Sequence, residues 1–300
     1  MQAIVMHETG GPEVLRLEEV DRPEPGDGEV LVRVHDASVN PIDWKFRRGL
    51  MPKELPAILG NDMAGMVEES RTEAFSKGDE VFGFAIGGTY AEFARSPAPA
   101  IAIKPPALSP ELAAALPVVG LTAWQALFDR GGLQEGQTVV ISAAAGGVGH
   151  LAVQFARKAG ARTIGIGSAR HREFVLDLGA TDYVDYTSED VTAVVKDADL
   201  AFDAVGGEIT EQLLATVRPG GALVCIAGAV PEERAAEREV RAELLIMSPD
   251  PAQLASIGAQ VASREVRVVI AERFPLAEVA RAHELSETGH TRGKIVLFIG

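Results

Sequence analysis

The chain has 300 residues, and this length predicts about two domains, because single cores stop growing at roughly 250–300 residues. With 47% hydrophobic and 24% charged residues, its composition is typical of a globular protein. The formal charge of -15 argues against nucleic acid and anionic membranes as partners, since both need a basic surface. The single cysteine, Cys225, excludes an internal disulfide and a multi-cysteine zinc site. No signal peptide and no uncharged apolar run of 18 residues is visible, so we expect a cytoplasmic protein without membrane contact.

Short strand patterns fill the first hundred residues. Alternation of polar and apolar residues predicts strands at 30–34, 80–84 and 90–94, and glycines and prolines separate them. This pattern is typical of a small β-rich domain. A proline-rich stretch at 97–110 follows it, and we place the end of this first segment at residue 116.

Strand and helix patterns alternate from 117 to 248. The predicted strands are 139–142, 163–166, 183–184, 200–205, 223–227 and 244–247. Such alternation predicts right-handed crossovers and a doubly wound parallel sheet. Gly160, Gly179 and Gly220 stand where helix C-caps are expected.

The last segment, 249–300, is too short for a domain of its own. It carries a helix pattern from Pro251, a strand pattern at 266–270, a helix at 276–287 and a strand at 294–299. We expect it to complete the first domain, which makes 117–248 an insertion. The short apolar strand at 244–247 would lie at a sheet edge, and this predicts pairing with a second copy in a homodimer.

A cluster of small residues, A-A-A-G-G-V-G at 143–149, joins the first strand of the predicted parallel sheet to its helix. It departs from G-x-G-x-x-G only at Ala144. Small residues let the backbone approach a pyrophosphate, and the N-terminus of the helix favours its charge. The position between strand and helix favours a dinucleotide site over the alternative, a tight turn without a ligand.

The end of the second strand of this sheet indicates which dinucleotide binds. An NAD site usually has Asp or Glu about 20 residues after the glycines, but no acid stands there before Glu173. Ser168, Arg170 and Arg172 offer a hydroxyl and two cations instead, which suits a 2′-phosphate. We therefore favour NADP(H), the alternative being a solvated basic start of a helix.

Further motifs follow in a fixed order along almost the whole chain. They are S-V-N-P-I-D-W at 38–44, L-G-N-D-M-A-G-M-V at 59–67, G-D-E-V-F-G at 78–83, G-T-Y-A-E-F at 88–93, G-L-T-A-W at 120–124, L-G-A at 178–180, D-A-V-G-G at 203–207, and A-H-E followed by G-H-T-R-G-K-I-V at 282–296. Together with 143–149 they resemble the zinc-independent quinone oxidoreductases, the zeta-crystallin-like branch of the medium-chain dehydrogenase/reductase superfamily. The resemblance implies a GroES-like β-rich catalytic domain with an inserted Rossmann domain. It also implies NADPH in the cleft between them and hydride transfer to a quinone or an activated alkene.

The resemblance, and not the spacing of residues, assigns the roles at the site. The cofactor-binding candidates that it implies are Asn40, Thr122, Gly146, Gly147, Val148, Ser168, Arg170, Tyr186, Gly228 and Lys294. Arg172 is a further cofactor-binding candidate, which comes from the basic residues after the second strand and not from the resemblance. Asn40, Asp43 and Thr122 are the catalytic candidates. The Asn40 amide can donate to the carbonyl oxygen of an acceptor. Asp43 either orients Asn40 or relays a proton, or else it caps a turn after Pro41. Tyr90 either donates a proton or packs between the sheet and solvent.

The chain departs from the zinc-dependent relatives at two places. Those relatives carry a cysteine near position 40 and Gly-His-Glu near position 60, where this chain has Asn40 and G-N-D at 60–62. We therefore expect no metal.

These observations favour an NADPH-dependent reductase of quinones or α,β-unsaturated carbonyls. Two alternatives stay open: an enoyl-thioester reductase of a biosynthetic pathway, and a non-catalytic NADPH-binding protein. Turnover on a panel of quinones, enones and acyl thioesters separates the three.

Overall fold

The computed structural model describes all 300 residues. The chain divides into two compact units, of which the first comprises Met1–Leu121 and Pro249–Gly300 and the second comprises Thr122–Ser248. No helix combines the length and the apolar character that crossing a bilayer requires.

Short strands dominate the first part of the first unit. They are β1 (Gln2–Met6), β2 (Leu15–Glu19), β3 (Glu29–Val39), β4 (Ala57–Ile58), β5 (Asp62–Ser70), β6 (Glu80–Phe84), β7 (Phe93–Pro97) and β8 (Ile101–Ile103). The helices of this part are α1 (Pro41–Arg47) and α2 (Pro110–Ala114), and α3 (Pro117–Trp124) runs on into the second unit. The prolines at the first position of all three helices fit there, because the first helical N–H has no partner within the helix.

The second unit is a parallel sheet with helices between its strands. The strands are β9 (Thr138–Ile141), β10 (Arg162–Gly167), β11 (Asp182–Asp185), β12 (Ala198–Asp203), β13 (Val217–Cys225) and β14 (Arg241–Leu244). The helices are α4 (Gly149–Lys158), α5 (Arg172–Asp177), α6 (Val191–Val194), α7 (Glu208–Thr216) and α8 (Glu232–Glu237). The strand order is β11-β10-β9-β12-β13-β14, and every pairing is parallel. This confirms the predicted doubly wound sheet.

The returning segment adds α9 (Pro251–Ala262), β15 (Ile270–Pro275), α10 (Val279–Glu287) and β16 (Lys294–Phe298). β16 pairs antiparallel with β3 and parallel with β15, so it extends the seven-stranded sheet of the first unit. The apolar core of this unit lies on that sheet and includes Val32, Val34, Ile295 and Leu297.

Four local predictions were wrong. The strand expected at 90–94 is β7, which begins three residues later, at Phe93. The strand expected at 266–270 begins only at Ile270, because Val266 and Val268 are buried without pairing in a ladder. The strand expected at 244–247 is β14, three residues earlier, and the chain leaves the sheet after Leu244. An edge strand needs few apolar residues, so the more polar segment forms it. Gly220 lies within β13 at a φ of 75° and not at a helix C-cap, whereas Gly160 and Gly179 do follow α4 and α5.

The turn that follows β9 packs very closely against the first residue of α4. A Cβ atom on Gly149 would lie 2.2 Å from the carbonyl oxygen of Ala143, and Ala143 itself has a φ of 45°. Only glycine fits at position 149 without a shift of the backbone. In the same sheet, the thiol of Cys225 is completely buried at the end of β13, which lies between β12 and β14.

We expect Gly149→Ala to lower the free energy of unfolding by about 1–3 kcal/mol, the usual cost of an overpacked contact. Gly26→Ala is the matched control, because its Cβ atom would lie 3.4 Å from the flexible Glu29 side chain. Urea unfolding of both variants checks this, and equal stability of the two would contradict it.

Candidate functional site

The predicted cofactor residues of the second unit lie along one edge of its sheet. Gly146, Gly147 and Val148 follow β9, Ser168 and Arg170 follow β10, Tyr186 follows β11, and Gly228 follows β13. Because the strands are parallel, all these positions belong to the carboxyl edge, where ligands of doubly wound sheets bind.

The turn after β9 is held by short backbone hydrogen bonds. The Ala144 N–H donates to the Ile166 carbonyl at 3.0 Å, and the Gly146 N–H donates to the Ala143 carbonyl at 2.8 Å. No side chain larger than a methyl group stands between Ala143 and Gly147. The backbone of this turn is therefore open to close approach by a ligand.

Asp203, at the end of β12, organises the neighbouring loop. Its carboxylate accepts from the Ser142 hydroxyl at 2.9 Å, from the Thr210 hydroxyl at 2.6 Å and from the Val205 N–H at 2.9 Å. A Cβ atom on Gly206 would lie 2.8 Å from the carbonyl oxygen of Ala227, so this loop also needs glycine where it meets the turn after β13. The D-A-V-G-G motif carried this signal, but the cofactor candidates named from the sequence did not include it.

The two candidate arginines of the 2′-phosphate site are placed differently. Arg170 is exposed and forms no ion pair, and its nearest polar partner is the His171 ring at 3.1 Å. Arg172 donates to Glu189 at 2.9 Å and to the Tyr183 carbonyl at 3.0 Å. Its charge is therefore already compensated. Tyr186 is 53% exposed, so its ring is available at the same edge.

In the first unit, Asn40 and Asp43 form the capping box of α1. The Asn40 N–H donates to Asp43 Oδ2 at 2.8 Å, and the Tyr90 hydroxyl donates to the same oxygen at 2.9 Å. The Asn61 amide donates to Asp43 Oδ1 at 3.3 Å. Asp43 thus caps the helix, one of the roles considered from the sequence, and its contact with Asn40 is to the main-chain N–H and not to the side-chain amide. A chemical role of Asp43 stays a prediction. Tyr90 is fully buried, so its expected place between sheet and solvent was wrong.

A second buried carboxylate, Asp62, lies beside Asn40. Asp62 Oδ2 accepts from the Asn40 amide at 2.8 Å and from the Ser38 hydroxyl at 2.7 Å, and Oδ1 accepts from the Val118 N–H at 2.9 Å. Lys294 Nζ lies 2.5 Å from Asn40 Oδ1, 3.1 Å from the Val39 carbonyl and 3.8 Å from Asp62. The structure therefore brings Asn40, Asp43 and Lys294 together.

Burial shifts the ionisation of this cluster. It raises the pKa of Asp43 to about 6 against the effect of its Asn40 and Tyr90 donors. It also raises the pKa of Asp62 and lowers that of Lys294, while the attraction between these two charges opposes both shifts. The Tyr90 pKa lies well above its usual value because of burial and the adjacent Asp43 carboxylate, so the phenol keeps its proton at neutral pH.

The cluster continues to a buried histidine that the sequence did not single out. The Tyr90 hydroxyl lies 3.3 Å from His283 Nε2, and His283 Nδ1 has no hydrogen-bond partner. Burial and the nearby Arg47 charge lower the His283 pKa to about 3. Arg47 is buried too and pairs with Glu287. In the sequence, only the A-H-E motif marked His283. The residues that surround it in the structure are far from it along the chain, so no local pattern indicated its burial.

Thr122 lies on α3 in the second unit and is 5% exposed. No group of three or more His, Cys, Asp or Glu side chains in the structure is arranged to hold a metal ion. The expectation of a metal-free site stays a prediction.

Comparison with known proteins agrees with this architecture. The alcohol dehydrogenase GroES-like domain model matches residues 26–106, which confirms the expected GroES-like domain, and the zinc-binding dehydrogenase model matches residues 178–297. The mouse quinone oxidoreductase is 32% identical, with 100% of this chain and 98% of the mouse protein covered. The chain belongs to the zinc-independent quinone oxidoreductase branch of the medium-chain dehydrogenase/reductase superfamily.

Further known proteins match over almost the whole of this chain. The NADPH-dependent alkenal/one oxidoreductase of Arabidopsis thaliana is 30% identical over 99% of this chain and 79% of its own length. The quinone oxidoreductase structure from Coxiella burnetii has a TM-score of 0.95 at 36% identity, covering 100% of this chain and 99% of that one. The Escherichia coli quinone oxidoreductase complexed with NADPH has a TM-score of 0.93 at 28% identity, covering 99% and 100%.

The buried His283 predicts a pH dependence of stability. Its pKa is lowered to about 3 in the folded protein, so the unfolded chain binds more protons at His283 below its ordinary pKa near 6.5. Holding His283 neutral therefore costs the folded protein no free energy of unfolding above pH 6.5. Below this pH the free energy of unfolding decreases, until the pH reaches about 3. Between pH 6 and 4 we expect the wild-type unfolding free energy to fall more steeply than that of His283→Phe, by about 1.4 kcal/mol per pH unit. Urea unfolding across this range measures both slopes, and parallel slopes would show that His283 is not held neutral.

Proposed function

We propose that this protein transfers a hydride from NADPH to a quinone or an α,β-unsaturated carbonyl compound, without a metal. The observation that carries the cofactor assignment is the exposed Arg170, which has no carboxylate partner and follows the strand next to the glycine turn. The reaction is supported by the relatives, which are named quinone oxidoreductase and NADPH-dependent alkenal/one oxidoreductase.

The residues of the second unit fit this cofactor. The tight turn at Gly146, Gly147 and Val148 would hold the pyrophosphate through backbone N–H groups at the start of α4. Ser168, Arg170 and Tyr186 would hold the 2′-phosphate, since a hydroxyl and a guanidinium donate to its oxygens. We propose Gly228 and Thr122 nearer the nicotinamide end. Arg172 contributes less, because Glu189 already neutralises it. Bound NADPH supplies the hydride.

The first unit supplies a donor for the acceptor's oxygen. One N–H of the Asn40 amide is bound to Asp62, and the other has no acceptor, so it is free for a carbonyl oxygen on which negative charge develops. Conjugation in a quinone or an enone spreads this charge, so a neutral donor suffices. We propose that water supplies the final proton.

The cluster around Asn40 also supports the metal-free assignment. The Lys294 ammonium already pairs with Asp62 at 3.8 Å and with Asn40 Oδ1 at 2.5 Å. A metal at these groups would meet a buried cation. Oxidation of simple alcohols, which needs a Lewis acid in this type of site, is therefore not part of the proposal.

We further propose that the segments 1–116 and 249–300 form the catalytic domain and 117–248 the cofactor domain. A homodimer stays part of the proposal, because β14 is an edge strand that ends at Leu244, which is 49% exposed, and Ile246 just after it is 79% exposed. The cytoplasmic location stays a prediction.

Arg170→Ala tests the cofactor assignment. It removes a charge-assisted contact worth about 1.5–3 kcal/mol, so we expect NADPH affinity to fall about 10- to 150-fold while NADH affinity is unchanged. Fluorescence titration measures both. Arg162→Ala is the control, because Arg162 starts the same strand at its other end and pairs with Asp182. Equal weakening of both cofactors would contradict a 2′-phosphate contact.

The acceptor class is tested with purified protein and a panel of substrates. We expect NADPH oxidation with small quinones or enones and none with saturated ketones, which do not spread the developing charge. Asn40→Ala should lower kcat/KM about 10- to 1,000-fold, as for the loss of an oxyanion donor. Robust alcohol oxidation by chelator-treated protein would overturn the mechanism, whereas an active Asn40→Ala variant would overturn only the role of Asn40.

A further inference from the structure

The buried carboxylate of Asp62 is a point at which four elements of the first unit meet. Its hydrogen-bond donors come from the end of β3, from the N-cap of α1 and from α3, and the cation 3.8 Å away starts β16. Asp62 itself begins β5 and is completely inaccessible to solvent. The N–H groups of Asn40 and Val118 can only donate to this carboxyl, the Ser38 hydroxyl is placed to donate as well, and the Lys294 ammonium lies 3.8 Å away. The geometry favours the ionised form.

The contacts of Asp62 and Lys294 allow only one orientation of the Asn40 amide. The Asn40 nitrogen faces Asp62 at 2.8 Å and its oxygen faces Lys294 at 2.5 Å. A flipped amide would place its oxygen against the carboxylate and its N–H groups against the ammonium. Both contacts would then be repulsive, so the direction of the remaining free N–H of Asn40 is fixed.

Asp62 also caps the helix that carries Thr122. Its Oδ1 accepts from the Val118 N–H, the second residue of α3, where a negative charge is favourable. Thr122 follows Val118 by four residues and lies one turn further on the same face. The Asp62 carboxylate therefore holds both the side-chain amide of Asn40 and the start of the helix that carries Thr122.

We propose that Asp62 is a positioning residue for hydride transfer, which fixes the donor N–H of Asn40 and the start of the helix that carries Thr122. This inference rests on the proposed function, since it concerns the same reaction. Asp62 acts through its neighbours and touches no substrate. The competing explanation is that Asp62 only stabilises the fold, as one partner of a buried ion pair with Lys294.

The chain offers a matched control for that explanation. Asp36 lies on β3, is 3% exposed and accepts from Arg273 Nη2 at 2.7 Å. It is thus another buried aspartate of the same unit that is paired with a cation, but it contacts none of the candidate site residues. Asp36→Asn should lower the free energy of unfolding, as the loss of a buried ion pair does, and it should leave kcat unchanged.

The experiment compares Asp62→Asn and Asp36→Asn in the full-length protein. We expect Asp62→Asn to lower kcat about 10- to 100-fold with KM little changed, because misorientation of a donor acts on the transition state. Asp36→Asn should keep the wild-type kcat. A similar loss of kcat in both variants, or a wild-type kcat in Asp62→Asn, would overturn the proposal.

A spectroscopic readout separates this inference from the proposed function. The Asn40 side-chain amide signals, assigned by their loss in Asn40→Asp, should show one slowly exchanging proton in the wild type and in Asp36→Asn. This protection should vanish in Asp62→Asn. If the wild-type protein oxidises no NADPH with any acceptor, the proposed function fails, and the amide exchange still decides whether Asp62 holds Asn40. Persisting protection in Asp62→Asn would overturn the inference.

Ser38→Ala is the milder variant if Asp62→Asn does not fold. It removes one donor to Asp62 at 2.7 Å without touching Asn40 or Lys294. We expect faster exchange of the same amide proton and a smaller loss of kcat. Wild-type exchange and turnover in Ser38→Ala, together with an unfolded Asp62→Asn, would leave Asp62 a structural residue and overturn its positioning role.

Discussion

The first unit depends on burying ionisable side chains and giving each of them partners. Isolated charges in a protein interior are strongly unfavourable, so Asp43, Asp62 and Lys294 are tolerated only because hydrogen-bond donors and opposite charges surround them. The same contacts leave few alternative positions for the backbone that carries them. The N-cap of α1, the start of α3 and the first residue of β16 are therefore fixed by electrostatics as much as by apolar packing.

The second unit fixes the backbone at its carboxyl edge by different contacts. Its edge uses small residues and backbone N–H groups. Its buried carboxylates, Asp185 and Asp203, accept from hydroxyls and amides rather than from a cation. A site built from backbone suits a phosphate, which every nucleotide carries. A site built from side chains suits a reacting group, whose needs differ from one reaction to another. In the proposed function, the second unit would bind the cofactor and the first unit would position the acceptor.

The features that were predictable from the sequence are those that leave a local pattern. Short runs of sequence indicated the alternation of strands and helices and the glycine turn at 143–149. They also indicated that the last segment completes the first domain. The contacts of Asp62 and His283 could not be predicted in this way, because their partners are distant in the chain and polar residues carry no periodic signal of burial. β14 shows the opposite error: Leu244 to Met247 looks more like a strand than Arg241 to Leu244, but hydrogen bonding to β13 decided the position. Glu189 likewise neutralises Arg172 from 17 residues away, which no motif indicated.

The place of Cys225 has a consequence for a protein that handles electrophiles. Quinones and enones add to thiolates, so a reactive cysteine would be alkylated by the compounds proposed as acceptors. Burial at the end of β13, together with the nearby Asp203 charge, raises the pKa of the Cys225 thiol to about 12. Almost no thiolate then exists at neutral pH, and the side chain is completely inaccessible to solvent. The one thiol of the chain is thereby protected from covalent inactivation by its own substrates.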